Sequence, residues 1–330
     1  MKKLGISFRG KCISVLFIPI ILLLYNARVF SPFSSKIIID NSSQKMQDPM
    51  LFMAITVKKS NRADRMFDLW GNSYQKWQLS PDQRVFLISS DGAPYGGNPC
   101  LGLPKHYQEL RDSFFNGTDG SHFDRCIKRI YSLEYFVHNT TADFLALVTD
   151  DVVVSLRNLK AYIEELYTFG DPKRVPMVFG HCIDVDWVYL QGGSGYLVSR
   201  KAAEIMIQYG YEHIHALFEA DDIYITKLFL KAGISPRAMS SDRFVGHHFW
   251  GVGSDKLVEH HWDLLPECPT SFVAHYCNVG PFRVNRLVFF HQFYQDMSIN
   301  LARAIDNGEI PDNIYWYQKE SDSILCKKSQ

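Results

Sequence analysis

The sequence predicts an α/β protein with a Rossmann-like nucleotide-binding fold and a mostly parallel central sheet. From residue 50 onward, short apolar runs alternate with amphipathic stretches, which is typical of strands and helices that follow one another in such a sheet. The apolar run 143–149 ends in Asp150 and Asp151, the pattern of a buried strand that carries acids to its carboxyl end. In open α/β sheets, ligands bind at that end of the strands.

The other strands are predicted from short runs of apolar and β-branched residues. They cover 51–57, 84–90 and 175–180. The run 84–90 is followed by Asp91-Gly92, a turn signal that ends the strand.

The helices are predicted from the spacing of their apolar residues. In the stretch 126–137, Ile127, Ile130 and Leu133 recur every three residues and would share one helix face. Gly233 closes the last helix, because glycine is favoured just beyond a helix end. The predicted helices cover 64–78, 126–137, 156–167, 200–209 and 222–232.

Two further segments could carry chemistry. Gly192, Gly193 and Gly195 form a glycine-rich turn that lets the backbone approach a ligand closely, or simply a tight turn between a strand and a helix. Asp221 and Asp222 open the last helix and supply a possible general base. The simpler interpretation of this pair is that its charge complements the helix dipole.

The first acidic pair also has two interpretations. Asp150 and Asp151 could hold a hard divalent cation that neutralises a diphosphate. They could instead cap the helix that starts near Ser155, which is a common use of aspartate.

Composition excludes one class of partner. The 330 residues include 35 Lys+Arg and 35 Asp+Glu, so the formal net charge is zero, whereas nucleic-acid binding favours a basic face. Hydrophobic residues make up 46% of the chain, enough for one large domain or two small ones.

The N-terminus predicts entry into the secretory pathway. Lys2, Lys3, Arg9 and Lys11 precede the apolar run 12–25. We expect a cytoplasmic tail at 1–11, a signal-anchor transmembrane helix at 12–27, a stem at 28–49 and a luminal domain at 50–330, with a cleaved signal peptide as the alternative. Glycosylation sequons at Asn41, Asn116 and Asn139 favour the same compartment.

Cysteine usage fits an oxidising compartment. Outside the anchor, Cys100, Cys126, Cys182, Cys268, Cys277 and Cys326 permit up to three disulfides, whose connectivity the sequence does not fix. A zinc site is the rival interpretation, but no Cys-x-x-Cys pair is present to form one.

Three segments together resemble the fringe-like β1,3-glycosyltransferases (glycosyltransferase family 31), near fringe and the core 1 galactosyltransferases. They are Thr149-Asp150-Asp151, the run from Gly192 to Tyr196 that continues into Ser199-Arg200-Lys201-Ala202, and Asp221-Asp222 at a helix start. The resemblance extends over about residues 51–280, including 54–62. Thr149 stands where that family has the first of three acids.

This resemblance implies a GT-A type fold and a metal-dependent inverting transferase in the Golgi or endoplasmic reticulum membrane. The enzyme would use Mn²⁺, or another divalent cation, and transfer a hexose or N-acetylhexosamine from a UDP-sugar to a hydroxyl of a glycan or glycoprotein, with β1,3 linkage. The implied metal ligands are Asp151 and His275 (alternative His248), and the implied base is Asp222 (alternative Asp221).

Candidates for contacts with the nucleotide or donor are Asp150, Lys58, Arg62, Lys128 and Gly193. A second class of function is a catalytically decayed luminal carbohydrate-binding or chaperone-like protein on the same fold. A third is a metal-dependent phosphohydrolase, for which water would be the nucleophile.

Overall fold

The structure is a computed structural model that describes residues 51–57, 83–95, 97–115, 122–184, 188–213, 220–235, 241–246, 262–269, 281–291, 295–319 and 322–328. The chain divides into two compact units, Met1–Met46 and Gln47–Gln330, and every described residue belongs to the second. Among these residues, no helix combines the length and apolar character needed to cross a membrane. The predicted tail, anchor and stem lie outside the described residues.

Twelve strands and six α-helices make up the described part of the chain. The strands are β1 Leu51–Thr56, β2 Gln83–Ser89, β3 Cys100–Gly102, β4 Phe144–Thr149, β5 Val152–Val154, β6 Val178–Asp184, β7 Val188–Ser199, β8 Phe244–Val245, β9 Phe282–Arg283, β10 Phe289–His291, β11 Ile314–Lys319 and β12 Asp322–Lys327. The helices are α1 Lys105–Phe115, α2 His122–Asn139, α3 Leu156–Leu166, α4 Arg200–His213, α5 Asp221–Lys231 and α6 Gln295–Asn307. The predicted helix at 64–78 lies outside the described residues.

The central sheet has six strands in the order β3-β2-β1-β4-β7-β6. The β2–β3, β1–β2 and β1–β4 pairs are parallel, whereas β4–β7 and β6–β7 are antiparallel. Five of the six strands therefore run in one direction and β7 runs against them, so the prediction of a mostly parallel sheet is confirmed, with β7 as an antiparallel strand within it. Only residues 185–187 separate β6 from β7, too few for the crossover that a parallel pair requires.

The strand that carries the first acidic pair is central and buried. β4 lies between β1 and β7, and Leu145 and Leu147 face one hydrophobic cluster while Phe144, Ala146 and Val148 face another. Helices α2, α4 and α5 contribute to the first cluster, and α3 and α6 to the second. The sheet is thus covered on both faces. Asp150 and Asp151 directly follow the carboxyl end of its central strand, β4.

The glycine-rich segment is not the turn that the sequence predicts. Gly192, Gly193 and Gly195 lie inside β7, a strand of twelve residues. Gly195 has a φ of 73°, and a Cβ there would lie 2.7 Å from Val148 Cγ1 and 2.8 Å from the Leu147 carbonyl oxygen. Glycine is needed here because β7 approaches β4 closely while its backbone is left-handed.

The C-terminal region, in which no strand or helix was predicted, forms parts of two small sheets. β10 pairs antiparallel with β5 and parallel with β8, and β11 pairs with β9 and β12. A disulfide joins Cys268 to Cys326, and Cys182 is also disulfide-bonded. Cys100 and Cys126 are free thiols.

Candidate active site

A cavity of about 310 Å³ opens at the carboxyl end of the central strands. It brings together the ends of β4 and β10, the first half of β7, one face of α2 and the start of α5. Its lining consists of Val57, His122, Arg125, Lys128, Arg129, Thr149, Asp150, Asp151, Gln191, Gly192, Gly193, Ala220, Asp221, Asp222 and His291. Both predicted acidic pairs therefore face one cavity.

The first acidic pair does not cap the following helix. Ser155 is the N-cap of α3, and its hydroxyl accepts a hydrogen bond from the Asn158 backbone N–H at 3.3 Å. Asp150 is buried, and its Oδ2 accepts a hydrogen bond from the Tyr95 hydroxyl at 2.8 Å. The capping interpretation of this pair is therefore wrong, since another residue makes that contact.

Asp151 lies between two neighbours that the sequence separates widely. The Thr149 hydroxyl donates to Asp151 Oδ1 at 2.5 Å, so the residue two positions before Asp151 orients its carboxylate. On the other side, His291 Nε2 lies 3.2 Å from Asp151 Oδ2. The Asp151 side chain is 20% exposed, which leaves it accessible from the cavity.

His291 reaches this place through strand pairing. In the antiparallel β5–β10 register, His291 stands opposite Val152, the residue after Asp151. A Cβ on Gly193 would lie 3.4 Å from His291 Nδ1, so β7 packs closely against the imidazole at this glycine. Carboxylate oxygen and imidazole nitrogen are ligands that manganese and related divalent metals accept in proteins.

Within the described residues, no group of three or more histidine, cysteine or acidic side chains is arranged to hold a metal ion by itself. Cations of the Mg²⁺ type are commonly held by one or two carboxylates together with substrate phosphates. The pair of Asp151 and His291, with Asp150 beside it, fits that partial kind of site.

Asp221 is held by arginines. Arg125 Nη2 lies 3.0 Å from Asp221 Oδ1, and Arg129 Nη2 lies 3.1 Å from Oδ2. Burial alone would raise the pKa of this carboxyl, but the charges of Arg129 and Arg125 outweigh it and the pKa lies below its ordinary value. His122 Nδ1 is a third neighbour, 3.2 Å from Oδ1. Asp221 is thus a fixed carboxylate, a poor proton acceptor.

Asp222 has the opposite environment. Burial and the negative charge of Asp221 raise the pKa of the Asp222 carboxyl, while Arg129 and backbone hydrogen bonds lower it in part. The Ile223 N–H donates to Asp222 Oδ1 at 2.9 Å, which orients the carboxylate at the first turn of α5. Adjacent acids whose pKa values are driven apart are the usual sign of different roles in acid–base chemistry.

Lys128 borders the cavity, but its ammonium group has partners in the fold. It lies 2.7 Å from Asp124 Oδ2 and donates to the Val57 carbonyl oxygen at 2.8 Å. Because Asp124 also accepts a hydrogen bond from the Ser90 hydroxyl, this network ties α2 to the ends of β1 and β2. A contact between Lys128 and a nucleotide stays a prediction.

The structure brings together Asp150, Asp151, Lys128, Gly193, Asp221 and Asp222 from the predicted set. Lys58, Arg62, His248 and His275 lie outside the described residues, so their roles stay predictions.

Sequence reasoning missed His291, Arg129, Arg125 and His122. One signal for His291 was present, since residues 287–290 form an apolar run that ends in a polar residue, as the acidic strand does. On α2, residues 122, 125 and 129 are spaced for one helix face, but this spacing also fits a solvated surface.

No protein-family model matches the chain, and no curated protein matches it. Among solved structures, the chain is similar to the galactosyltransferase LgtC in complex with donor and acceptor sugar analogues, at 13% identity and a TM-score of 0.36, with 77% of this chain and 95% of that chain covered. It is similar to core-mannan synthase A of Aspergillus fumigatus in its Mn/GDP form, at 8% identity and a TM-score of 0.40, with 82% and 87% covered.

A third similar structure is a glycosyltransferase involved in glycosylation of the major capsid of PBCV-1, at 11% identity and a TM-score of 0.34, with 77% of this chain and 99% of that chain covered. Glycosyltransferases thus recur among the structures to which the chain is similar. Because these TM-scores are low, the likeness by itself assigns neither a fold nor a function.

Proposed function

We propose that the protein is a metal-dependent inverting glycosyltransferase that moves a hexose or N-acetylhexosamine from a UDP-sugar to a hydroxyl of a glycan or glycoprotein. The observation that carries the proposal is the pairing of two unlike acidic sites in one cavity. Asp151 lies beside His291 at the end of the central strand, and Asp222 stands across the cavity with raised basicity. One site suits a cation and a diphosphate, and the other suits a hydroxyl proton.

Asp151 and His291 would hold the cation, with Asp150 adjacent. Their oxygen and nitrogen donors fit Mn²⁺, and diphosphate oxygens would complete the coordination. When bound, the cation offsets the negative charge that develops on the departing diphosphate. Asp150 is oriented by the Tyr95 hydroxyl and fixes the shape of this end of the cavity.

Asp222 would take the proton of the attacking hydroxyl. The hydroxyl oxygen bonds to the anomeric carbon of the donor sugar as the bond from that carbon to the diphosphate oxygen breaks with its electron pair. The proton passes to an Asp222 carboxylate oxygen, and the nucleoside diphosphate leaves as an anion. Attack opposite to the leaving group inverts the anomeric configuration.

The same proposal includes the placement of the protein. A basic segment before an apolar run and sequons after it favour a single-pass type II protein of the Golgi or endoplasmic reticulum, with its transferase domain in the lumen. Disulfide bonding of Cys268, Cys326 and Cys182 fits an oxidising lumen.

One observation favours a second function, a carbohydrate-binding protein that has lost transfer. Thr149 and His291 contact the two carboxylate oxygens of Asp151, so this acid has protein partners on both sides. A decayed site would keep such contacts and have no need of a cation.

The deciding experiment measures release of UDP from a panel of UDP-sugars by the purified protein, with glycan acceptors and Mn²⁺, alongside calorimetric binding with and without EDTA. Transfer that needs both acceptor and metal supports the proposal. Glycan binding that is insensitive to EDTA, without UDP release, favours the decayed protein. Acceptor-independent phosphate release would identify a phosphohydrolase.

A further inference from the structure

Arg129 is among the most deeply buried charged residues described, with 2% of its surface exposed. Its Nη2 lies 3.1 Å from Asp221 Oδ2 and 3.4 Å from the Gly192 carbonyl oxygen. Its guanidinium also stacks over the Tyr196 ring, 5.0 Å from the ring centre. One side chain on α2 therefore connects the start of α5 to the glycine segment of β7.

Strand β7 leaves space for this guanidinium at Gly192. A Cβ on Gly192 would lie 2.8 Å from Arg129 Nη2 and 2.9 Å from Nη1, closer than real contacts allow. A backbone hydrogen bond from Gly192 also reaches the Asp222 carboxyl. Gly192 thus lies against Arg129, which holds Asp221, and its backbone bonds to Asp222.

Asp221 and Asp222 are neighbours in sequence with different partners. Both carboxylate oxygens of Asp221 are bonded to guanidinium groups, Oδ1 to Arg125 and Oδ2 to Arg129. Asp222 has no ion pair of its own among the interactions of the described residues, and its hydrogen bonds come from the backbone. Charged and titratable groups around Asp222 are Asp221 on its own helix, Arg129 and Cys126 on α2, and Tyr196 on β7.

Arg129 also has an unused donor. Its Nη1 is buried, and among the described residues it has no hydrogen-bond partner, although Arg129 lines the cavity. The Nη1 nitrogen is enclosed among protein atoms, so Arg129 acts on a bound substrate through its neighbours rather than by direct contact.

We infer that Arg129 is a positioning residue that divides the adjacent aspartates between two roles, with Asp221 as a fixed carboxylate and Asp222 as the proton acceptor. This inference rests on the proposed transfer reaction. In that reaction Arg129 determines which aspartate acts as the base, and Gly192 leaves the space that the guanidinium of Arg129 occupies.

The test compares Arg129→Lys and Arg129→Met with Arg174→Lys, a matched exchange at an arginine that is 86% exposed. Arg129→Lys keeps the charge but loses the planar fork, so kcat should fall about 100-fold through misplacement of the base while KM for the sugar nucleotide changes little. Arg129→Met also removes the positive charge of the guanidinium. The pKa of the neighbouring aspartates then rises, and the acid limb of the kcat/KM profile moves to higher pH. Arg174→Lys should match the unaltered protein.

Gly192→Ala tests the same device without changing any charge. It should displace the guanidinium and reproduce the loss of kcat seen for Arg129→Lys. A purely structural role for Arg129 predicts lower melting temperatures with an unshifted acid limb, and that result overturns the inference. Wild-type turnover in Arg129→Lys overturns it as well.

A measurement without substrate separates this inference from the proposed function. Carboxyl ¹³C titration of Asp221 and Asp222 in the full-length protein should show both groups titrating at higher pH in Arg129→Met than in the unaltered protein. Identical titrations refute the inference even if transfer is observed. Absence of any UDP-sugar turnover by the unaltered protein refutes the proposed function, while the titration still decides the role of Arg129.

Discussion

The Nε2 atom of His291 lies 3.2 Å from Oδ2 of Asp151, although strands β6 and β7 of the central sheet and helices α3, α4 and α5 lie between the two residues in sequence. The contact depends on the antiparallel pairing of β5 with β10, which sets His291 opposite the residue that follows Asp151. It gives the acidic strand end a nitrogen donor, while the roles predicted for His275 and His248, which lie outside the described residues, stay predictions.

We expect His291→Ala to weaken Mn²⁺-dependent binding of a UDP-sugar by at least about tenfold, because loss of even an outer-shell partner of a metal ligand commonly costs about 10–100-fold. Calorimetry in Mn²⁺ and in EDTA measures this. The control is His138→Ala, an exposed histidine at the far end of α2. His248→Ala and His275→Ala belong in the same series, and a larger loss in either of them than in His291→Ala would return the metal role to that residue.

Asp222→Asn should reduce turnover by about 10²–10⁴-fold, the usual contribution of a general base, with little change in melting temperature. Asp221→Asn should instead lower the melting temperature, because it leaves two arginines beside an uncharged partner. Breaking a buried ion pair on one side typically costs about 3–5 kcal/mol. Kinetics and thermal melts on both variants check this. A stable, inactive Asp221→Asn with an active Asp222→Asn would reverse the assignment.

The two aspartates predict a range of pH in which the protein is folded but inactive. The pKa of Asp222 is raised, so as pH falls this group takes up its proton first, and kcat/KM falls at a pH above the ordinary aspartate value of about 4. The pKa of Asp221 is depressed, so its contribution to stability is present above that ordinary value and is lost only as pH falls through the lower, folded-state value. Parallel pH profiles of activity and melting temperature test this, and coincident transitions would contradict it.

Gly195→Ala should destabilise the protein more than Gly97→Ala. Both glycines have φ near 75°, so both substitutions carry the strain of a left-handed backbone, about 1 kcal/mol or more. Only at Gly195 would the new Cβ meet Val148 and the Leu147 carbonyl, whereas nothing lies within 4 Å at Gly97. Chemical denaturation measures the free energy of unfolding of both variants, and the difference between them is the steric contribution at Gly195. Equal losses of stability would show that β7 can move away from β4.

Luminal placement predicts glycosylation. Asn139 ends α2 with an exposed side chain, so the sequon at 139–141 is accessible to an oligosaccharide. Glycosidase treatment of the expressed protein should increase its gel mobility, and Asn139→Gln should remove part of that shift. Unchanged mobility, with protease access from the cytosolic side, would refute the type II topology.

The elements around β4 could be predicted from the sequence because each is marked by the spacing of its apolar residues and by a turn or glycine at its end. The strand at 84–90 appears as β2, the helix at 156–167 as α3 followed by a short 3₁₀ turn, and the helix ending at Gly233 as α5. The acidic pairs were predictable for the same reason, since an apolar strand that ends in acids has a clear period and a clear end.

Long-range relationships were not predictable from local pattern. The glycine segment has the composition of a turn, and only its neighbours β4 and β6 make it a strand. His291 depends on a pairing between distant strands, and Arg129 on the space left by Gly192. Such features arise from tertiary packing, which overrides the local preference of a segment.

The β5–β10 pairing also has a consequence for biogenesis. The six strands of the central sheet end by residue 199 and the second acidic pair lies at 221–222, whereas His291 comes later in the chain and leaves the ribosome after them. The acids of the cavity are therefore synthesised before the imidazole that lies beside Asp151. Premature termination upstream of β10 would leave Asp151 without His291 and β5 without its pairing strand.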